Sequence, residues 1–362
     1  MQVKESIMVY NDMTSKILRG ISEHKPDGYG AFAGKMGAVA ALYLLKSKCN
    51  HAEEIERQAD ILFDEALQEM QTSFDMTFDK GLLGACSLVN FLHVKGLVKG
   101  DIDDVLYNMD AMSYKFLCEE KNINRLDINW TNGLMSFLLY FMGRISHPGQ
   151  NLSPFLRPIQ ESSIRIIINR LCYLMQDAST IMRRELNASA TWSIPMMFYC
   201  LSKLLRQNIY RDKIIAIVHD WSTSVCSLLP CFQMNRVSFA NSLLAVNQVA
   251  ENDSIRRHIK TLYNSVDTGQ MLRELKPQSD AIINGWPYYI LCLSQACYNV
   301  ESVGLNRELF IPVRNQILNA YFVRWKERLQ RNDIPMDCSL VKGVSGVGIM
   351  YALHPDIFQP IV

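Results

Sequence analysis

The sequence predicts an all-α protein in a single domain, residues 1–362: seven helical hairpins arranged as an inner and an outer ring, an (α/α) toroid or barrel. Three observations predict it. Apolar blocks that open on glycine or serine recur at intervals of roughly 45 to 60 residues, the range of helical-pair repeats. More polar segments with helical spacing separate these blocks. Strand signals are few, with no alternating run set between tight turn pairs.

The blocks read GKMGAVAALYLL from Gly34, GLLGACSLVNFL from Gly81 and GLMSFLLYFM from Gly133. They continue with SIPMMFYCLSKLL from Ser193, SFANSLLAVNQV from Ser238, GWPYYILCLSQA from Gly285 and GVSGVGIMYAL from Gly343. Their apolar residues run nearly all round a helix, as expected of one buried on every side. Gly, Ala and Ser at the starts let helix ends crowd together, and glycine tolerates a tight entry turn. Pro195 and Pro287 fall in the first helical turn, where a missing N–H costs nothing.

The intervening segments include HAEEIERQADILFDEALQEM, DIDDVLYNMDAMSYKFLCEE, SSIRIIINRLCYLM, RDKIIAIVHDWSTSVCSLL and NRELFIPVRNQILNAYFVRW. In the fourth, Ile214, Ile217, Trp221, Val225 and Leu228 recur at steps of three and four, giving one apolar stripe and one wet face. Asp and Ser stand before several of these segments as N-caps. Alternating buried and half-buried helices pack as two rings, although an open solenoid shares the same repeat. In a ring, all inner helix N-termini face one end, and their unpaired N–H groups favour an anion there. Catalysis, if present, belongs just before the glycines.

Composition narrows the function. The chain is 49% hydrophobic and 20% charged, with 37 basic residues against 36 acidic. No segment gathers Lys and Arg with aromatics, so no nucleic-acid surface is expected. The start, MQVKESIMVYNDMTSK, carries charges where a signal peptide needs an apolar stretch, and polar residues interrupt the long uncharged runs. A cytoplasmic protein without a membrane span follows as the expectation. Ten cysteines without a CxxC pair read as free thiols, mostly buried.

Gly34-Lys35-Met36-Gly37, Gly81-Leu82-Leu83-Gly84 and Gly343-Val344-Ser345-Gly346, in this repeat order, resemble the signature of the lanthionine synthetase C-like family. The resemblance covers the whole chain, is eroded in the third repeat and weak in the fourth to sixth. It implies a double α/α toroid that matures ribosomal peptides of the lantibiotic type. Active members add a cysteine thiolate to a dehydrated residue. Zinc held by two cysteines and one histidine lowers the thiol pKa, and a histidine and an aspartate assist proton transfer.

Residue by residue, those groups are missing. The family's Cys-His-Gly falls on Ile283-Asn284-Gly285, and its other cysteine falls within Met234-Asn235-Arg236-Val237-Ser238. The fourth-repeat histidine lands on Trp192, and the third-repeat aspartate on Asn129, with Asp127 two residues earlier. The expectation is therefore a chain with no metal and no cofactor: a zinc-free pseudoenzyme that binds a precursor peptide, its leader, or a dehydratase partner. Asp127, Asn129, Asp337 and Cys338 are the remaining catalytic candidates.

The ring mouth would be lined by Asp79, Lys80, Trp130, Trp192, Arg236, Asn284, Trp286 and Lys342, joined by Asn132, Asn187, Thr191 and Asn235. Trp130, Trp192 and Trp286 take a corresponding place in three repeats, either plugging the centre or stacking on a ligand. None of the seven histidines precedes an inner helix start, and each reads as solvated or structural. Three alternatives stand beside the pseudoenzyme: a working thioether cyclase, a carbohydrate-processing toroid using Asp79, Asp127 and Asp337, and a protein-binding scaffold.

Overall fold

The computed structural model describes residues 15, 18–23, 25–46, 52–146, 156–177, 193–275, 285–331, 340, 345–346 and 348–349. Among them no strand forms. The first helices are α1 (Lys35–Lys46), α2 (Ala52–Gln71), α3 (Leu82–Val94), α4 (Ile102–Cys118), the single turn α5 (Glu120–Ile123), α6 (Leu134–Ser146) and α7 (Leu156–Leu174). Then come α8 (Ser193–Arg206), α9 (Arg211–Cys226), α10 (Gln233–Asn247), α11 (Asp253–Asn264), α12 (Thr268–Glu274), α13 (Trp286–Asn299) and α14 (Ile311–Arg331). No described helix is long and apolar enough to cross a membrane.

The expected alternation is present. Met36 to Leu45 of α1 are all buried, and α10 is buried on nearly every side. By contrast α2 buries only Ile55, Ala59, Leu62 and Ala66, a single stripe. On α9, Ile214, Ile217, Trp221 and Val225 are buried, and Leu228 just beyond the helix completes the stripe. Asp101 caps α4, its side chain accepting the Asp103 N–H (2.9 Å).

Two expectations need correction. The fifth buried helix begins at Gln233, not Ser238. Its polar first turn is tolerated because the Gln233 N–H finds a carboxylate on Glu274 (2.8 Å) and the Gln233 Oε1 accepts the Asp267 N–H (2.9 Å). The sixth, α13, is not buried all round. Tyr289, Ile290, Leu293 and Ala296 make one buried stripe, while Tyr298 is 86% exposed.

The chain divides into two compact units. Unit 1 comprises Met1–Val98, Leu275–Leu291 and Pro312–Val362. There α1 packs against α2 and α3, and Trp286 stacks on Tyr321 of α14 (6.2 Å, 23°). Lys35, nearly buried at the start of α1, pairs with Glu69 and with Glu65 (3.3 Å) of α2. Burial opposes its charge, but the two carboxylates hold its pKa above the ordinary lysine value. Leu340, far along the chain, returns to the first loop: its N–H donates to the Phe32 carbonyl (2.6 Å).

Unit 2 comprises Lys99–Glu274 and Cys292–Ile311. Within it α6, α8 and α10 are successive neighbours, backed by α7, α9 and α11 respectively. Phe198 of α8 and Phe239 of α10 meet at 6.1 Å, and Trp221 of α9 closes on Phe198 edge-on (6.4 Å). Each such buried side chain contributes about 1.5–3 kcal/mol.

One ionic cluster lies inside unit 2. Arg144 of α6 is completely buried and bridges Asp103 (2.7 Å) and Asp110 (3.0 Å) of α4. Tyr140 donates to Asp110 (2.6 Å), and so does the Gln160 amide from α7 (3.0 Å). Burial opposes the guanidinium, yet Asp110 and Asp103 hold it protonated beyond its usual range. Asp103 sits in the first turn of α4, where the helix dipole offsets the second carboxylate. Replacing Arg144 by Met strands two buried carboxylates. That substitution is expected to lower unfolding free energy by about 3–5 kcal/mol in urea titration, far more than Arg57→Met on the exposed face of α2.

Candidate functional site

The residues singled out from sequence cluster where buried helices begin, so the local structure of those starts decides what they can do. Three starts share one geometry. The residue after the first glycine donates its N–H to a carbonyl seven residues earlier: Lys35 to Gly28 (2.9 Å), Leu82 to Asp75 (2.7 Å), Leu134 to Asp127 (2.8 Å). The loop thus folds back over the helix start. A Cβ on Gly133 would fall 2.5 Å from both the carbonyl and Oδ1 of Asp127, and Gly81 meets the Asp75 carbonyl in the same way.

The second glycine of the motif has its own reason. Gly84 lies against the Phe78 carbonyl and Gly37 against the Ala31 carbonyl, both too close for any side chain. The third repeat has Ser136 there, its hydroxyl donating to the Gly133 carbonyl, and Trp130 takes the place of Phe78 and Ala31.

The candidate carboxylates belong to these loops. Asp127 Oδ1 accepts the Asn129 N–H (2.8 Å), as Asp75 Oδ1 accepts the Thr77 N–H (2.9 Å). Asn129 Oδ1 in turn accepts the Thr131 N–H and hydroxyl (both 2.7 Å). These are side-chain turns that hold the fold-back loop. Asp79 is half-buried, its Oδ1 accepting the Lys80 N–H (3.0 Å) and its carbonyl the Phe32 N–H (3.0 Å). Lys80 and Asn132 are exposed.

Arg236 was expected to face a ligand. It clasps its own chain, donating to the Pro230 carbonyl (2.7 Å), the Gln233 Oε1 (3.3 Å) and the Ser265 carbonyl. Asn235 is buried in the first turn of α10. Trp130 and Trp286 do not share a position. Trp130 is buried in a fold-back loop, whereas Trp286 is half-buried as the first residue of α13. Trp192, Asn187, Thr191, Asn284, Asp337, Cys338 and Lys342 lie outside the described residues.

The expectation of open, anion-favouring helix N-termini is also corrected. At α1, α3 and α6 the leading N–H is taken by a carbonyl of the preceding loop, and at α10 by the Glu274 carboxylate. The sequence carries the signal for this in Asp75 and Asp127, each six residues ahead of a glycine.

The described residues do not supply the zinc site that the resemblance implies. Among the described residues no three of His, Cys, Asp or Glu converge on one point. Where the resemblance calls for a cysteine, Asn235 is enclosed and Arg236 is a cation already engaged. Burial pushes the Cys200 thiol up to about 12 and raises Cys172 and Cys226 above the ordinary value, the opposite of activation. His93 is half-buried at the end of α3, His219 exposed on α9, and His258 buried on α11.

No family model matches the chain, and no curated protein sequence matches it.

Gly84→Ala should destabilise by at least about 2 kcal/mol, because the Phe78 carbonyl is backbone and has nowhere to go. Gly269→Ala, inside α12 with its nearest neighbour at 3.3 Å, should stay within about 1 kcal/mol of the parent. Thermal melts of the two variants compare them directly.

Proposed function

We propose that this chain is a zinc-free member of the lanthionine synthetase C-like family, an α/α toroid that binds a precursor peptide or its dehydratase partner in ribosomal peptide maturation. The observation that carries this reading is the fold-back loop repeated at Gly34, Gly81 and Gly133, the structural counterpart of the glycine signature. Ring closure draws support from Leu340, just ahead of the seventh glycine block, whose N–H donates to Phe32, while the Phe32 N–H donates to Asp79. Seventh, first and second loops are thereby linked in order.

The pseudoenzyme part rests on what fills the ligand positions. By the resemblance, Ile283, Asn284, Trp192 and the stretch Met234 to Ser238 stand where sulfur and imidazole are needed for a zinc-bound thiolate. The carbohydrate alternative gains nothing from Asp79 and Asp127, since each spends a carboxylate oxygen on its own loop.

Two measurements test the reading. Purified protein is expected to carry well under one equivalent of zinc and to leave a dehydrated, cysteine-containing peptide uncyclised; stoichiometric zinc or thioether formation sinks the pseudoenzyme. Titration with a leader-bearing precursor peptide is expected to give a dissociation constant in the range of about 1 μM, with no binding to leader or dehydratase removing the peptide-maturation role.

A further inference from the structure

We propose that His258 makes the Ser227–Phe232 linker between α9 and α10 an acid-sensitive fastening, closed while the imidazole is neutral and loosened once it is protonated. His258 stands on α11 with only 9% of its surface exposed, its ring edge-on to Phe239 of α10 (6.3 Å, 75°). It faces the backbone carbonyl of Leu228 in the linker, and its Nε2 is buried with no hydrogen-bond partner. A neutral ring tolerates this, because an idle lone pair costs little. Protonation turns Nε2 into a cationic donor with nothing to receive it, in an enclosed apolar setting.

The surroundings offer no relief. From α9 and the linker the neighbours are Leu228 and its carbonyl, with Cys226 lying toward Arg257. From α10 the neighbour is Phe239, and the adjacent charge on α11 itself is Arg257, which is exposed. Burial pushes its pKa below the ordinary histidine value, and the carbonyl opposes this in part.

The sign follows from linkage. A histidine with a depressed folded pKa supports the closed state above its open-state value near about 6.5, and that support is lost as pH falls through the folded value. The linker has a second fastening, Arg236 on the Pro230 carbonyl, which keeps its charge throughout this range. Acid therefore loosens one of two attachments. Leu228, 1% exposed, is uncovered beside Leu229 (50%) and Phe232 (47%), which already face solvent.

Amide hydrogen exchange of the full chain from about pH 7.5 to about pH 5, corrected for intrinsic rates, tests this. Protection over residues 227–233 is expected to fall severalfold with acid, while α4 and α7 hold theirs. In His258→Gln the same stretch is expected to lose its pH dependence. Equal acid sensitivity in parent and variant overturns the proposal. NMR titration of the parent supplies a readout free of folding defects: a His258 midpoint at or above the ordinary histidine value also overturns it.

Discussion

Much of this structure depends on one constraint: the first N–H of a buried helix needs an acceptor where water cannot supply one. The chain solves this locally, by folding the preceding loop back until a carbonyl seven residues upstream meets that N–H. The solution dictates the sequence around it. The helix start must be glycine because the returning backbone occupies the space of a Cβ, and at Gly81 and Gly133 an Asp six residues ahead holds the loop's shape through its own side chain. Glycine spacing and acidic loop residues thus share one cause. At α10, where no glycine precedes the helix, a different acceptor is recruited from Glu274.

The same demand runs along the buried helices. Asn241, in the middle of α10, is satisfied at both ends of its amide: Tyr263 donates to its Oδ1 (2.7 Å), and its Nδ2 donates to the Cys292 carbonyl (3.0 Å). Arg144 plays the comparable part on α6 with two carboxylates. These contacts are specific where the surrounding Leu, Ile and Phe packing is not, since an apolar helix can slide or rotate at small cost. A buried polar group cannot, because displacement leaves it unpaired. Registration of α4, α6 and α7 within unit 2 is therefore tied to Arg144 and Asp110.

The sequence made the helical alternation and most helix positions legible because burial imposes a period, and period survives substitution. The stripe of α9 and the cap at Asp101 follow from that logic. The start of α10 was misplaced because Ser238 looked like the missing glycine, whereas the segment from Gln233 is polar and reads as loop. Only tertiary partners, Glu274 and Asp267, make that polar turn helical. The structural part of Arg236 is hidden for a similar reason. An arginine near a helix start looks like a ligand grip until its carbonyl acceptors at Pro230 and Ser265 are known, and they are 6 and 29 residues away in sequence. In Asp127 the carbonyl and the side-chain turn matter more to the fold than the charge does.

These details bear on function through competition for groups. An enzyme that binds anionic or nucleophilic species at helix starts must leave N–H donors, carboxylates or thiols uncommitted there. At α1, α3, α6 and α10 the leading N–H groups have partners within the chain, as do Asp127, Asn129 and Arg236. Freeing any of them for catalysis would undo the loop that positions it. A surface whose polar groups are already satisfied still recognises a peptide, through shape and through the acceptor and donor capacity that each carboxylate and amide retains. Recognition requires no group to change its bonding in the free protein, whereas catalysis at these positions would. At α1, α3, α6 and α10 the groups that hold the helix starts together are thus spent on the fold itself.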